Sequence, residues 1–196
     1  MVVAHGIGVI QADFYEVIKD DYARSILGDD PFQLAYDLTM IQCAWMMKEV
    51  ERSKREKAKF GQKVERDYVS FVRDEHQKYA PLAQARYLNL KNTNPNAAQY
   101  MTSHVIADDK KVFVLQAADA VAYEIRRALH VAHKQRKEPL REQFKVFRNF
   151  SRMAVIRTAE KEGLLNTVRL HKPGESFNLD EMMEHVLHEN IRIEEI

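Results

Sequence analysis

The chain has 196 residues and a mass of 22.9 kDa, a size that suits one compact domain. Hydrophobic residues make up 45%, charged residues 30%, and the net charge is +1; these values exclude a disordered polyelectrolyte and a chain that grips polyanions through its overall charge. A single cysteine, Cys43, excludes an internal disulfide framework and a zinc site of several thiolates, so a reducing cytoplasmic location is expected.

In chain order, Val2 to Ile10 is apolar and β-branched and predicts a strand, although Gly6 and Gly8 weaken it. The opening MVVAHGIGVIQADF has no basic stretch ahead of its apolar residues and does not read as a signal peptide. Gln11 to Leu27 is mixed and partly helical. Asp30-Pro31-Phe32-Gln33 is a helix start: Asp30 can cap free N–H groups, Pro31 suits the first helical position, and Gln33 can close a capping box. The helix is expected from Pro31 to about Lys59. Apolar side chains surround it up to Val50, leaving Gln33, Asp37 and Lys48 in one narrow polar wedge, so it should be buried on several sides. Beyond Val50 the charged text predicts a solvated extension.

Asp67 to Arg73 predicts a buried strand, rich in aromatic and β-branched residues, with Asp74 and Glu75 at its carboxyl end. Tyr79 to Leu90 reads as a short helix, Asn92 to Asn96 as a loop, Met101 to Ile106 as a strand and Asp108 to Lys111 as a polar connection. Val112 to about Lys134 is helical. Pro139 breaks the pattern before another helix over Leu140 to Met153. Gly163 and Lys172 to Gly174 mark turns, and Asn178 starts a last helix with Glu181 as its capping partner. Strands alternating with helices predict an α/β fold whose sheet is at least partly parallel. No run approaches the roughly 20 apolar residues of a membrane span, so no membrane partner is expected.

Charge is unevenly spread. From Arg126 to Arg157 ten basic residues face two acids, a local +8; from Glu175 to Ile196 seven acids face one base, a local −6. The basic segment, including Arg126, Arg127, Lys145 and Arg148 with Phe144, Phe147 and Phe150 among them, is either a nucleic-acid face or a solvated helix with a phenylalanine stripe on its buried side.

Two carboxylates stand out. Asp119 lies among Ala117, Ala118, Ala120 and Ala122, at the rim of the helix face that holds Leu115, Ala118, Ala122 and Leu129. A carboxylate pressed against a core face needs a partner: a cation, an arginine such as Arg126 or Arg127, or backbone donors. Asp74 ends a buried strand, where open α/β sheets place ligands, or it is an ordinary strand-ending polar residue. Together the two can share a divalent cation. The pairs His130/His133 and His185/His188 fall on common helix faces but lack the i, i+4 spacing and third ligand of a zinc site. His5 and His104 have no readable role, and Cys43 reads as a core thiol. The sequence contains no GxGxxG, Walker or GxSxG motif.

Three segments resemble the bacterial and phage family named "domain of unknown function 3800". FVLQAADAVAYEIRR resembles its helix-borne L-Q-x-A-D motif, VSFVRDEHQKYAPLAQARY its strand ending in Asp-Glu, and HVIADDKKVFVLQ the approach to that helix. DPFQLAYDLTMI is similar to its long middle helix. The likeness covers about residues 1 to 131. It implies a ribonuclease H-like mixed sheet flanked by helices over residues 1–134; the helices read beyond it are expected to form a C-terminal extension over 135–196 packed on the same domain. It also implies metal-dependent nuclease chemistry: Asp74 and Asp119 as catalytic residues, Asp74, Asp119 and Glu75 as ligands of Mg²⁺ or Mn²⁺, and nucleic acid as the partner. Family members open with a strand carrying Asp-Glu-Ser, which this sequence lacks, and His76 stands where a glycine is common. The resemblance therefore implies an N-terminally incomplete domain, either a fragment or a degenerate member. Such a chain is expected to be a remnant of a divalent-metal-dependent nuclease, inactive as given; the alternative is a non-catalytic module of the same fold that binds nucleic acid or protein.

Overall fold

The computed structural model describes residues 4–75, 79–108, 110–133, 154–170, 172 and 188–192. Strand β1 (Ala4–Val9) leads into two short helices, α1 (Gln11–Val17) and α2 (Asp21–Leu27). Asp20 caps α2 by accepting the Tyr22 N–H at 2.7 Å. Gly28 closes the helix with φ +81° and ψ −172°, a conformation that side-chain-bearing residues avoid. A Cβ there would also meet Arg86 Nη2 at 3.0 Å.

Helix α3 (Pro31–Lys57) is the centre of the molecule, and both of its ends match the sequence expectation to within two residues. Asp30 accepts the Phe32 N–H at 2.8 Å, so the expected N-cap forms. Gln33 is drawn elsewhere: its Oε1 accepts from Arg86 Nε and Nη2 at 3.1 and 3.0 Å. Leu34, Leu38, Met40, Ile41 and Ala44 are buried on more than one side of α3, as an apolar girdle requires. One part of the "solvated extension" is corrected. Glu51 is buried and receives hydrogen bonds from Arg55, from Arg66 Nε (3.1 Å) and from Tyr100. Burial alone would raise its pKa; those donors outweigh it and hold the carboxylate below its ordinary value.

Strands β2 (Val69–Asp74) and β3 (Met101–Ala107) pair in parallel, with Phe71 opposite His104, Val72 opposite Val105 and Asp74 opposite Ala107. Between them run α4 (Ala80–Thr93) and the single turn α5 (Pro95–Ala98). The latter was expected as loop; it forms because Asn94, fully buried, caps the Ala97 N–H at 3.0 Å. Helix α6 (Phe113–His133) follows β3 and packs against β1 and β2.

The helical extension expected over 135–196 is corrected where that segment is described. Ala154–Ala159 forms β4, Lys161–Leu170 forms α7 and His188–Arg192 forms β5. The β-branched Val155, Ile156 and Thr158 suit β4, which pairs in parallel with β1, Ala4 opposite Ala154 through Val9 opposite Ala159; β5 joins β4 antiparallel. The described strands thus form two sheets, β1–β4–β5 and β2–β3. Gly163, expected at a turn, lies buried inside α7, where its carbonyl accepts the Thr167 hydroxyl at 2.9 Å. Helix α7 packs on α1 and α2 and delivers Leu164, fully buried, to the core of Phe14, Leu38, Met40 and Ile41. The helices expected over Leu140–Met153 and from Asn178 lie outside the described residues. The molecule is mixed α/β with parallel pairing, and no described helix is long and apolar enough to cross a membrane.

Candidate functional site

Strand alternation sorts the side chains of the β2–β3 sheet. Phe71, Arg73 and His104 face α3 and α4; Ser70, Val72, Asp74 and Val105 share the other face. Asp74 is half-buried at the strand's carboxyl end, and Glu75 is exposed, its N–H donating to the Ala107 carbonyl at 2.9 Å. The sequence placed both correctly relative to the strand.

Asp119 is corrected. It is exposed on α6, as are Ala117, Ala118, Ala120 and Ala122, while Leu115 is buried. The carboxylate is hydrated rather than pressed against a core face, so burial demands no counter-charge. Carboxylate oxygens suit a hard divalent cation. Among the described residues, however, no three Asp, Glu, His or Cys side chains gather as a metal-ligand group, so Asp74, Glu75 and Asp119 do not form a closed three-carboxylate site. Of the basic residues, Arg126 is exposed on α6 and Arg127 half-buried; Lys145 and Arg148 lie outside the described residues. Cys43 is a half-buried thiol whose pKa is pushed up to about 11 by burial, which keeps it protonated and unreactive at neutral pH.

A second polar group was missed by sequence reasoning. Gln84 Oε1 lies 2.5 Å from His104 Nδ1, and the Tyr36 hydroxyl lies 2.7 Å from His104 Nε2. An amide oxygen only accepts, so Nδ1 carries the proton and Nε2 accepts the phenol proton. The ring of Tyr87 stacks on His104 at 5.3 Å, and Arg73 lies over the Tyr36 ring at 5.0 Å and hydrogen-bonds its oxygen. Burial, and then Arg73, lower the His104 pKa, so the imidazole stays neutral. Burial pushes Tyr36 up to about 12, outweighing Arg73. The sequence signal for His104 was its even spacing from Ile106 along a strand, which marks a face and not a role.

Beside this group, Asp37 meets Arg86 Nη1 at 3.3 Å, while its Oδ1 is buried with no hydrogen-bond partner among the described residues. Burial outweighs Arg86 and raises Asp37 to about 6. The Gln33–Asp37 wedge was legible in the sequence; Arg86 as its partner was not. A shallow cleft of about 10 Å³, room for about one water, opens between the first turns of α3 and α4 and the end of β2; Phe32, Tyr36, Arg73, Tyr79, Leu82 and Arg86 line it.

Compared with known proteins, the chain matches no family model, no curated protein and no solved structure.

Proposed function

We propose that this chain is a degenerate or fragmentary member of the nuclease-like family its L-Q-x-A-D helix resembles, with a ribonuclease H-like fold, and that it binds nucleic acid without cleaving it. One observation supports the reading above the rest: Asp74 stands at the carboxyl end of a strand in a parallel pair, where α/β sheets place ligands. In the intact chemistry, Mg²⁺ or Mn²⁺ would activate water and stabilise the leaving oxygen. Asp74 and Asp119 alone leave such an ion short of charge, and a positioning error of about 1 Å costs about 10²-fold. Exposed Arg126 and the basic residues beyond α6 supply the binding charge.

The test is a cleavage and binding assay on labelled DNA and RNA with Mg²⁺ or Mn²⁺. Expected is no cleavage above that of Asp119→Ala. Binding should fall with salt, with a slope of about −0.9 in log K per phosphate contact on duplex DNA and about −0.7 on single strands. Charge reversal at Lys145 and Arg148 should weaken it with little loss of stability. Strong metal-dependent cleavage abolished by Asp119→Ala would overturn the reading, as would binding indifferent to salt between 50 and 200 mM, a range over which a protein making several phosphate contacts loses about 10³–10⁵ in affinity.

A further inference from the structure

The cleft at the end of β2 has an unusual wall. Phe32 is 54% exposed and its ring meets Tyr79 at 5.1 Å. Arg73 holds its guanidinium 5.8 Å from the Phe32 ring and 5.0 Å from that of Tyr36. Leu82 is 42% exposed at the rim. Aromatic rings of this size normally contribute to a core. Here the Asp30 cap fixes the first turn of α3 so that Phe32 stays at the surface beside α4. Arg73 has no carboxylate partner among the described residues; its charge is spread over rings and the Tyr36 oxygen. Arg86, by contrast, is matched by Asp37.

We infer that this surface is a stacking platform for an unpaired base of single-stranded nucleic acid. The inference rests on the nucleic-acid reading above and names the kind of strand bound. A space of about 10 Å³ is too small to engulf a ligand, so a ligand must lie across the rim. A flat ring does this well: aromatic side chains and guanidinium planes stack on either face of any base, with little regard for sequence. In a duplex both faces of each base are already covered by its neighbours, so the platform selects single strands.

The test uses the full chain and three fluorescein-labelled probes: a 12-nucleotide oligothymidylate, an abasic strand of the same length, and a 12-base-pair duplex. Stacking on one aromatic ring is worth a factor of about 5 to 150 in affinity. Phe32→Ala should weaken binding of the oligothymidylate by that factor and leave binding of the abasic strand unchanged. Phe32→Tyr should restore it. Because the ring is exposed, Phe32→Ala should melt within a few degrees of the parent, so loss of fold does not confuse the outcome. Equal binding of all three probes, or a Phe32→Ala chain that binds oligothymidylate like the parent, overturns the platform while leaving electrostatic binding intact. No binding of any probe at about 50 mM salt overturns the platform and the nucleic-acid reading together.

Discussion

Asp37 is pulled two ways: Arg86 favours its charged form, burial its neutral form, and burial wins, raising the pKa from 3.8 to about 6. The sign follows from proton binding. Between pH 4 and 6 the folded chain holds this proton more tightly than the unfolded chain, so stability from this group is present at low pH and lost as pH rises through about 6. The shift of about two pK units corresponds to about 3 kcal/mol. Asp37→Asn keeps the shape and removes the titration. Relative to the parent, its unfolding free energy should gain about 2 kcal/mol between pH 4 and pH 7, measured by urea unfolding at each pH. A constant difference across that range would show that Asp37 is solvated in the folded chain. The comparison must be variant against parent, because His104 works in the other direction. Its pKa is lowered, so it costs stability as pH falls below about 6.5.

At the scale of elements, Glu51 ties three pieces of chain together: its own helix through Arg55, the segment after α3 through Arg66, and the entry to β3 through Tyr100. Glu51→Ala leaves the Tyr100 hydroxyl without its acceptor and frees Arg66. Since Arg66 is one-third exposed and Arg55 more so, both can hydrate, and the expected loss is about 1–3 kcal/mol. The segment 58–68 should also become the first site of limited trypsin cleavage, at Lys59, Lys63 or Arg66; an unchanged digestion pattern would show that Lys54–Asp67 (2.6 Å) holds the segment alone. Glu51 also marks what the sequence could and could not reveal. Helix α3 was legible from its cap and its apolar girdle, and β2 and β3 from their β-branched runs, because those signals are local. Glu51 sits in a charged stretch whose local pattern says solvent; only the distant Arg66 and Tyr100 make burial tolerable. His104 and Arg86 were opaque for the same reason, since each takes its role from partners 20 to 68 residues away. Asp119 failed in reverse: small neighbours suggested a packed face, and the face is hydrated. Strand β4 had a β-branched signal in Val155, Ile156 and Thr158, masked by the basic run before it.

For the whole molecule, the described part of residues 154–170 belongs to the same core as α3: Leu164 is fully buried with Phe14 and Leu38, and Lys161 reaches back to Asp13 through its N–H (3.0 Å) and to Glu16 through its ammonium group. Leu164→Ala should therefore destabilise α3 as well as α7. Trp45, the only tryptophan, lies on α3 and packs against that core. Removing the leucine should cost about 2–5 kcal/mol and lower by about 4–20 °C the melting midpoint reported by both Trp45 fluorescence and far-ultraviolet circular dichroism. A Trp45 midpoint that stays put while the helical signal falls would show that residues 154–170 unfold as a separate unit.

The pairing of β1 with β4 also sets a timetable for synthesis. Ala4 finds its partner at Ala154, so a ribosome must add 150 residues before the first strand has a neighbour on that edge. At about 5–20 residues per second this takes roughly 8 to 30 s. Throughout that interval the nascent chain carries an open strand edge, the kind of surface that recruits other strands. Slow elongation late in the message would lengthen the exposure, and a chaperone that covers the first ten residues would shorten its consequences.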